Sequence, residues 1–259
     1  MFTNEQREHV RARIINLART DLRVAAGALT GSMAVGAEDE WSDIDVSFGI
    51  ADGFSPEAVL DDWTEVLGRE FGALDHVDLR SGPTVFRVFL LAGGLELDLA
   101  VTPQQEFGAR GLRFSVLFGA ARQLEAAPQP AERYLVGLGW HHVLHAHACI
   151  ERGKPWQAEY WISGIRDHTL ELACLRFGED AVYGRGIDRV PAAVTDPLAE
   201  ALVRSLDESE LRRALAAATA GFVGELDAWD PSLCARLKPT LQAFGAPPAA
   251  AECERSQQA

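Results

Sequence analysis

The chain has no run of about 18 apolar residues, so no membrane-spanning helix is expected. Positive charge is scarce. Lys and Arg number 24 against 38 Asp and Glu, a formal net charge of -14. A surface that acidic repels polyanions, so nucleic acid is not an expected partner. It draws small cations or basic molecules instead. Cys149, Cys174, Cys234 and Cys253 are widely scattered, with no CxxC pair. That spacing suits neither a zinc site nor a disulfide framework, and buried or idle thiols in a reducing compartment are expected. The stretch from Asn4 to Arg23 is dense in charge where a secretion signal would be apolar. A soluble cytoplasmic protein is the expectation. No internal repeat occurs.

What is present is ample apolar material. Hydrophobic residues make up 47% of 259 residues, enough for one large domain or two modest ones. Thr3 to Leu22 reads as an amphipathic helix. Val10, Ile14, Leu17 and Ala18 share one face, Arg7, Arg11 and Arg19 lie elsewhere, and Thr3 with Gln6 fits a capping box. Val24 to Thr30 reads as a buried strand ending at Gly31-Ser32. Ser32 to Val35 can start a short helix before a polar loop, Gly36 to Ser42. Asp43 to Ile50 alternates with the period of a strand. Ser55-Pro56-Glu57 is a helix start, and that helix runs to Phe71 before Gly72. Leu74 to Arg80, Thr84 to Leu91 and Leu95 to Val101 read as strands, the last two joined at Gly93-Gly94. Phe114 to Leu124 reads as a short helix or connector.

The stretch from Ala126 to Pro130 is the expected boundary. Beyond it the patterns are helical: Glu132 to Arg152, Trp156 to Phe177, Pro197 to Arg204, Glu208 to Leu226 and a further segment from Pro231 to Phe244. The expected fold is α+β. A small mixed sheet with flanking helices (residues 1–127) precedes an all-α bundle (128–245), with a frayed tail over 246–259.

The chemistry concentrates between Gly27 and Val46, GALTGSMAVGAEDEWSDIDV. A glycine at a strand end lets backbone approach a phosphate, the N-terminus of a following helix offers free N–H groups, and Ser32 adds a hydroxyl donor. Residues two apart on a strand point to the same side, about 6.5–7 Å apart at Cα. Asp43 and Asp45 can therefore converge on a divalent cation, with nucleotide phosphates filling its remaining positions. Asp98 sits on a second alternating strand, opposite its apolar face, where it can be a third ligand or a general base. Each of these features alone also fits an ordinary turn or a solvated strand face.

Together they resemble the nucleotidyltransferase superfamily that includes DNA polymerase beta. The string GSMAVGAEDEWSDIDVSF is similar to antibiotic nucleotidyltransferases of the aminoglycoside and lincosamide type. The resemblance implies a mixed-sheet catalytic domain followed by a helical one. It implies that Gly31 and Ser32 hold a nucleoside triphosphate, that Asp43 and Asp45 bind Mg²⁺, and that Asp98 is the third carboxylate. The implied reaction is Mg²⁺-dependent transfer of a nucleoside monophosphate, AMP from ATP, to a hydroxyl of a small molecule, with release of pyrophosphate.

The acceptor is expected between the halves, where ligand sites often form. In the helical half, Glu159 is the leading acceptor-side carboxylate or base. Trp156, Tyr160, Arg166 and Asp167 lie nearby on the same helical pattern, and Glu106 follows the Asp98 strand. His141 and His145 have i, i+4 chelate spacing, but no HExxH glutamate accompanies them, which favours a structural role. Trp140 and Trp229 read as core. The acceptor is a small molecule, with a cationic one suited to the charge, and a homodimer is left open. Two other functions compete: modification of a protein or RNA by the same chemistry, and a non-catalytic nucleotide-binding module.

Overall fold

The computed structural model describes residues 2–126 and 128–245. The expected tail, with Cys253, lies outside the described residues. The chain divides into two compact units, Met1–Ala127 and Pro128–Ala259. Its class is α+β, with a mixed sheet and a C-terminal helical region.

In the first unit, helix α1 (Asn4–Thr20) opens on the capping box of Thr3 and Gln6. Strands β1 (Val24–Thr30) and β2 (Ile44–Ile50) follow, then helix α2 (Pro56–Phe71). Helix α2 is started by the Ser55 hydroxyl, which accepts from the Ala58 N–H, and is stopped at Gly72. Next come β3 (Asp75–Ser81), β4 (Thr84–Leu90) and β5 (Glu96–Pro103). The short strands β6 (Gly108–Ala109), β7 (Phe114–Phe118) and β8 (Arg122–Gln123) complete the unit. The sheet runs β3-β4-β5-β2-β1-β7, and β6 pairs with β8 separately. Within the sheet only β2 and β5 pair in parallel.

Phe114–Phe118 is a strand rather than the helix or connector expected. It hydrogen-bonds to the open edge of β1, with Thr30 opposite Phe114. Five residues rich in aromatic and apolar side chains carry little helical period of their own, and the free edge decides the outcome.

Period-2 alternation then places the chemistry. Ile44, Val46 and Phe48 of β2, with Leu97, Leu99 and Val101 of β5, enter a core shared with Val10 and Ile14 of α1 and Leu60, Trp63 and Leu67 of α2. Asp45 and Asp98 therefore point to the opposite face. On that face Ala26 and Ala28 pack with Phe107.

In the second unit, α3 (Glu132–Glu151), α4 (Pro155–Phe177), α5 (Ala192–Ala199), α6 (Glu208–Trp229) and α7 (Pro231–Gly245) enclose a core. Leu135 and Val143 meet Ile162, Ile165, Leu215 and Phe222 there. Helix α5 starts five residues before the expected Pro197, which lies inside it. Pro197 is the sixth residue of this short helix, where it removes the hydrogen bond to the carbonyl of residue 193, and the helix ends two residues later at Ala199. Trp140 and Trp229 pack against this core, and Cys149, Cys174 and Cys234 are buried free thiols. The Arg176 guanidinium meets buried Glu225 at 2.6 and 2.8 Å, tying α4 to α6.

Candidate active site on the open sheet face

The site is built where β1 ends and β2 begins. Gly31 takes a left-handed backbone, φ 63°. The close approach matters more than the turn. A Cβ at Gly31 would fall 1.8 Å from the Asp45 Oδ2 atom. The missing side chain is the space that this carboxylate occupies.

Residues 33–35 form a three-residue 3-10 turn, with Ser32 before it. This is the short helix expected over Ser32 to Val35, in 3-10 form. So short a turn sums too few peptide dipoles to act as a helix N-terminus. What the turn at Gly31-Ser32 offers is individual N–H groups and the Ser32 hydroxyl.

Asp43 precedes β2 rather than belonging to it, since the strand begins at Ile44. Asp45 is inside β2 and stands in register with Asp98 on β5. Adjacent strands lie about 4.8 Å apart, so the two carboxylates share one patch of the face. Oδ1 of Asp98 is buried and, among the described residues, has no hydrogen-bond partner. Burial pushes the Asp98 carboxyl above the ordinary carboxylate range, and the charges of Glu96 and Asp43 add to the effect. A polar hollow of about 270 Å³ opens beside Asp43, lined by Phe2, Trp41, Ser42, Asp43, Gly94 and Glu96.

Carboxylate oxygens are the hard donors that Mg²⁺ takes. Among the described residues, no group of three or more His, Cys, Asp or Glu is gathered closely enough to hold a metal ion by itself. The donor chemistry, with the orphaned Asp98 oxygen, suits a cation shared between one or two carboxylates and phosphate oxygens, not a protein-only cage.

Two arginines of α1 also reach the loop that leads into Asp43. Arg7 and Arg11 of α1 are each only 4% exposed, although both were expected off the buried face. The Arg7 Nη1 group donates to the carbonyls of Asp39 and Ser42 at 2.6 and 2.8 Å. Arg11 pairs with Glu38 and with Glu8. Both arginines keep their charges matched while their stems are covered. The only sequence signal was their i, i+4 spacing, with an acidic loop further along.

No protein-family model and no curated protein matches the chain. Among solved structures it is similar to an aminoglycoside 6-adenyltransferase from Bacillus subtilis. That likeness covers 92% of this chain and 98% of that one, at 16% identity and a TM-score of 0.36. At those values it carries no argument about function.

The remaining candidates are spread elsewhere. Glu106 ends an exposed 3-10 turn after β5. Trp156, Glu159, Tyr160, Arg166 and Asp167 all lie on α4 in the second unit. Trp156 and Tyr160 are exposed. The Ser163 hydroxyl donates to Glu159 at 2.7 Å, and Arg166 pairs with its neighbour Asp167. The rings of His141, His142 and His145 gather around Trp161, and His168 stands against His142. His142 is pushed down to about 4, first by burial and then by the other three imidazoles.

Proposed function

We propose that this protein transfers a nucleoside monophosphate, AMP from ATP, to a hydroxyl group of a small molecule of the aminoglycoside or lincosamide kind. The observation that carries the proposal is the meeting of Asp45 and Asp98 on neighbouring parallel strands, with Gly31 leaving room for the Asp45 carboxylate. It stands with the motif resemblance around Gly31-Ser32 and Asp43-Ile44-Asp45.

In this reading the turn at Gly31 and Ser32 holds the triphosphate through backbone N–H groups and the Ser32 hydroxyl. Asp43 and Asp45 hold Mg²⁺. When bound, the ion neutralises charge developing on the phosphate oxygens and on the leaving pyrophosphate. Asp98 takes the proton of the acceptor hydroxyl, because burial raises the proton affinity of its carboxylate. The acceptor oxygen forms a bond to the α-phosphorus, the bond from that phosphorus to the β-phosphate bridge breaks, and pyrophosphate leaves. Glu159, with Trp156, Tyr160, Arg166 and Asp167, is assigned to acceptor recognition, and Glu106 is a further acidic candidate.

The test is pyrophosphate release from ATP with Mg²⁺ and a panel of aminoglycosides and lincosamides. Release is expected with at least one acceptor, and Asp45→Asn is expected to lower it by about 10³-fold or more, the scale of losing a principal electrostatic group. Unchanged turnover in Asp45→Asn would refute the metal role. Labelling of protein or RNA instead of any small molecule would replace the acceptor assignment.

A further inference from the structure

We infer that Arg7, far from the carboxylates in sequence, is a positioning residue that sets Asp43 through the loop over 38–42. The inference rests on the reading of Asp43 as a metal ligand. The loop is closed internally: the Asp39 N–H donates to the Ser42 hydroxyl, the Ser42 hydroxyl donates to the Asp39 carboxylate, and the Trp41 N–H donates to that same carboxylate. Such a turn still needs an anchor to the body of the unit, and Arg7 supplies it. One Nη1 group holds the carbonyls of Asp39 and Ser42, at the two ends of the turn. Its Nε lies 3.2 Å from a Glu38 carboxylate oxygen, and Arg11 Nη1 meets that same oxygen at 2.6 Å.

The Ser42 carbonyl belongs to the peptide unit that leads into Asp43. Fixing it limits where the Asp43 backbone starts and so where its side chain can reach. Strand pairing does not do this for Asp43, because β2 begins one residue later. The neighbouring Asp45 is held by the sheet, whereas Asp43 is held by the clamp. An arginine fork suits this task better than lysine, since its planar donors keep a fixed angle to the carbonyls. Its burial at 4% exposure keeps water from competing for them.

The test uses the full chain, Arg7→Met and Arg7→Lys, with two readouts besides turnover. Amide hydrogen exchange over 39–43 reads the clamp, and electron paramagnetic resonance with Mn²⁺ alone reads the carboxylate site. In Arg7→Met, exchange over 39–43 is expected to quicken by about tenfold or more, while the β4–β5 hairpin changes by no more than about threefold. Mn²⁺ affinity is expected to weaken by about 10- to 100-fold, the range for losing a group that orients a metal ligand. Arg7→Lys should lose less in both, in the same direction, and carries the test if the methionine variant does not fold. Exchange that quickens equally everywhere, or an Mn²⁺ affinity within twofold of the native chain, would overturn the inference. Failure of the native chain to bind Mn²⁺ would instead remove the proposed function, and the exchange readout would still decide whether Arg7 anchors the loop.

Discussion

Replacing Gly31 by alanine separates two effects that glycine serves at once. The first is backbone strain. With φ at 63°, a Cβ costs about 1–2 kcal/mol in the left-handed region, partly offset by the stiffer unfolded chain. The second is collision. The new Cβ would sit 1.8 Å from Asp45 Oδ2, and distances under 3.0 Å are essentially never found, so the carboxylate must move by about 1.2 Å. Gly36 is the internal control. Its φ is 67°, but an added Cβ meets nothing within 4 Å. Both variants should lose about 1 kcal/mol, a fall of a few degrees in Tm. Under the proposed function, only Gly31→Ala should lose metal binding and turnover, because a displacement of about 1 Å at a reacting centre costs about 100-fold. The assay is Mn²⁺ affinity with pyrophosphate release, alongside thermal unfolding by circular dichroism. A Gly31→Ala protein with native affinity and turnover would refute the reasoning. So would equal losses in the two variants, which would reduce the effect to strain.

Two further outcomes concern the helical unit. His142 is depressed to about 4 from an unfolded value of 6.5, so between those pH values the unfolded chain binds more protons than the folded one. Stability therefore rises with pH through that window and falls as pH drops from about 6.5 toward 4, by on the order of 3 kcal/mol at full effect. Urea unfolding from pH 4 to 7 checks this: His142→Leu should flatten the profile, and an equally steep profile in that variant would reject the assignment. Arg176→Met should destabilise by about 3 kcal/mol, because it strands the buried Glu225 carboxylate, and adding Glu225→Leu should recover most of the loss. A loss under about 0.5 kcal/mol in chemical denaturation would show that the pair behaves as a surface one.

Local pattern made much of the fold legible. The alternation in Ile44–Ile50 and Glu96–Pro103, the Thr3 and Ser55 caps and the glycine pair before β5 each depend on residues within a few positions of one another. The mixed sheet and the helical second half follow from such signals. The resemblance carried by Gly31-Ser32 and Asp43-Ile44-Asp45 also lies within one short stretch.

Tertiary structure decided what depends on distant partners. No periodicity puts Asp98 in register with Asp45, because strand pairing joins residues 53 positions apart and is settled by packing of the whole sheet. Phe114–Phe118 becomes a strand only because β1 has an open edge. Arg7 and Arg11 read as solvent-facing charges until the loop over 38–42 returns to cover them, supplying carbonyls and a carboxylate that the helix itself lacks. The sequence by itself determined the side of β2 and of β5 on which Asp45 and Asp98 stand. Their convergence, and the partial burial that raises the proton affinity of Asp98, arise only when non-local pairing brings β2 and β5 together.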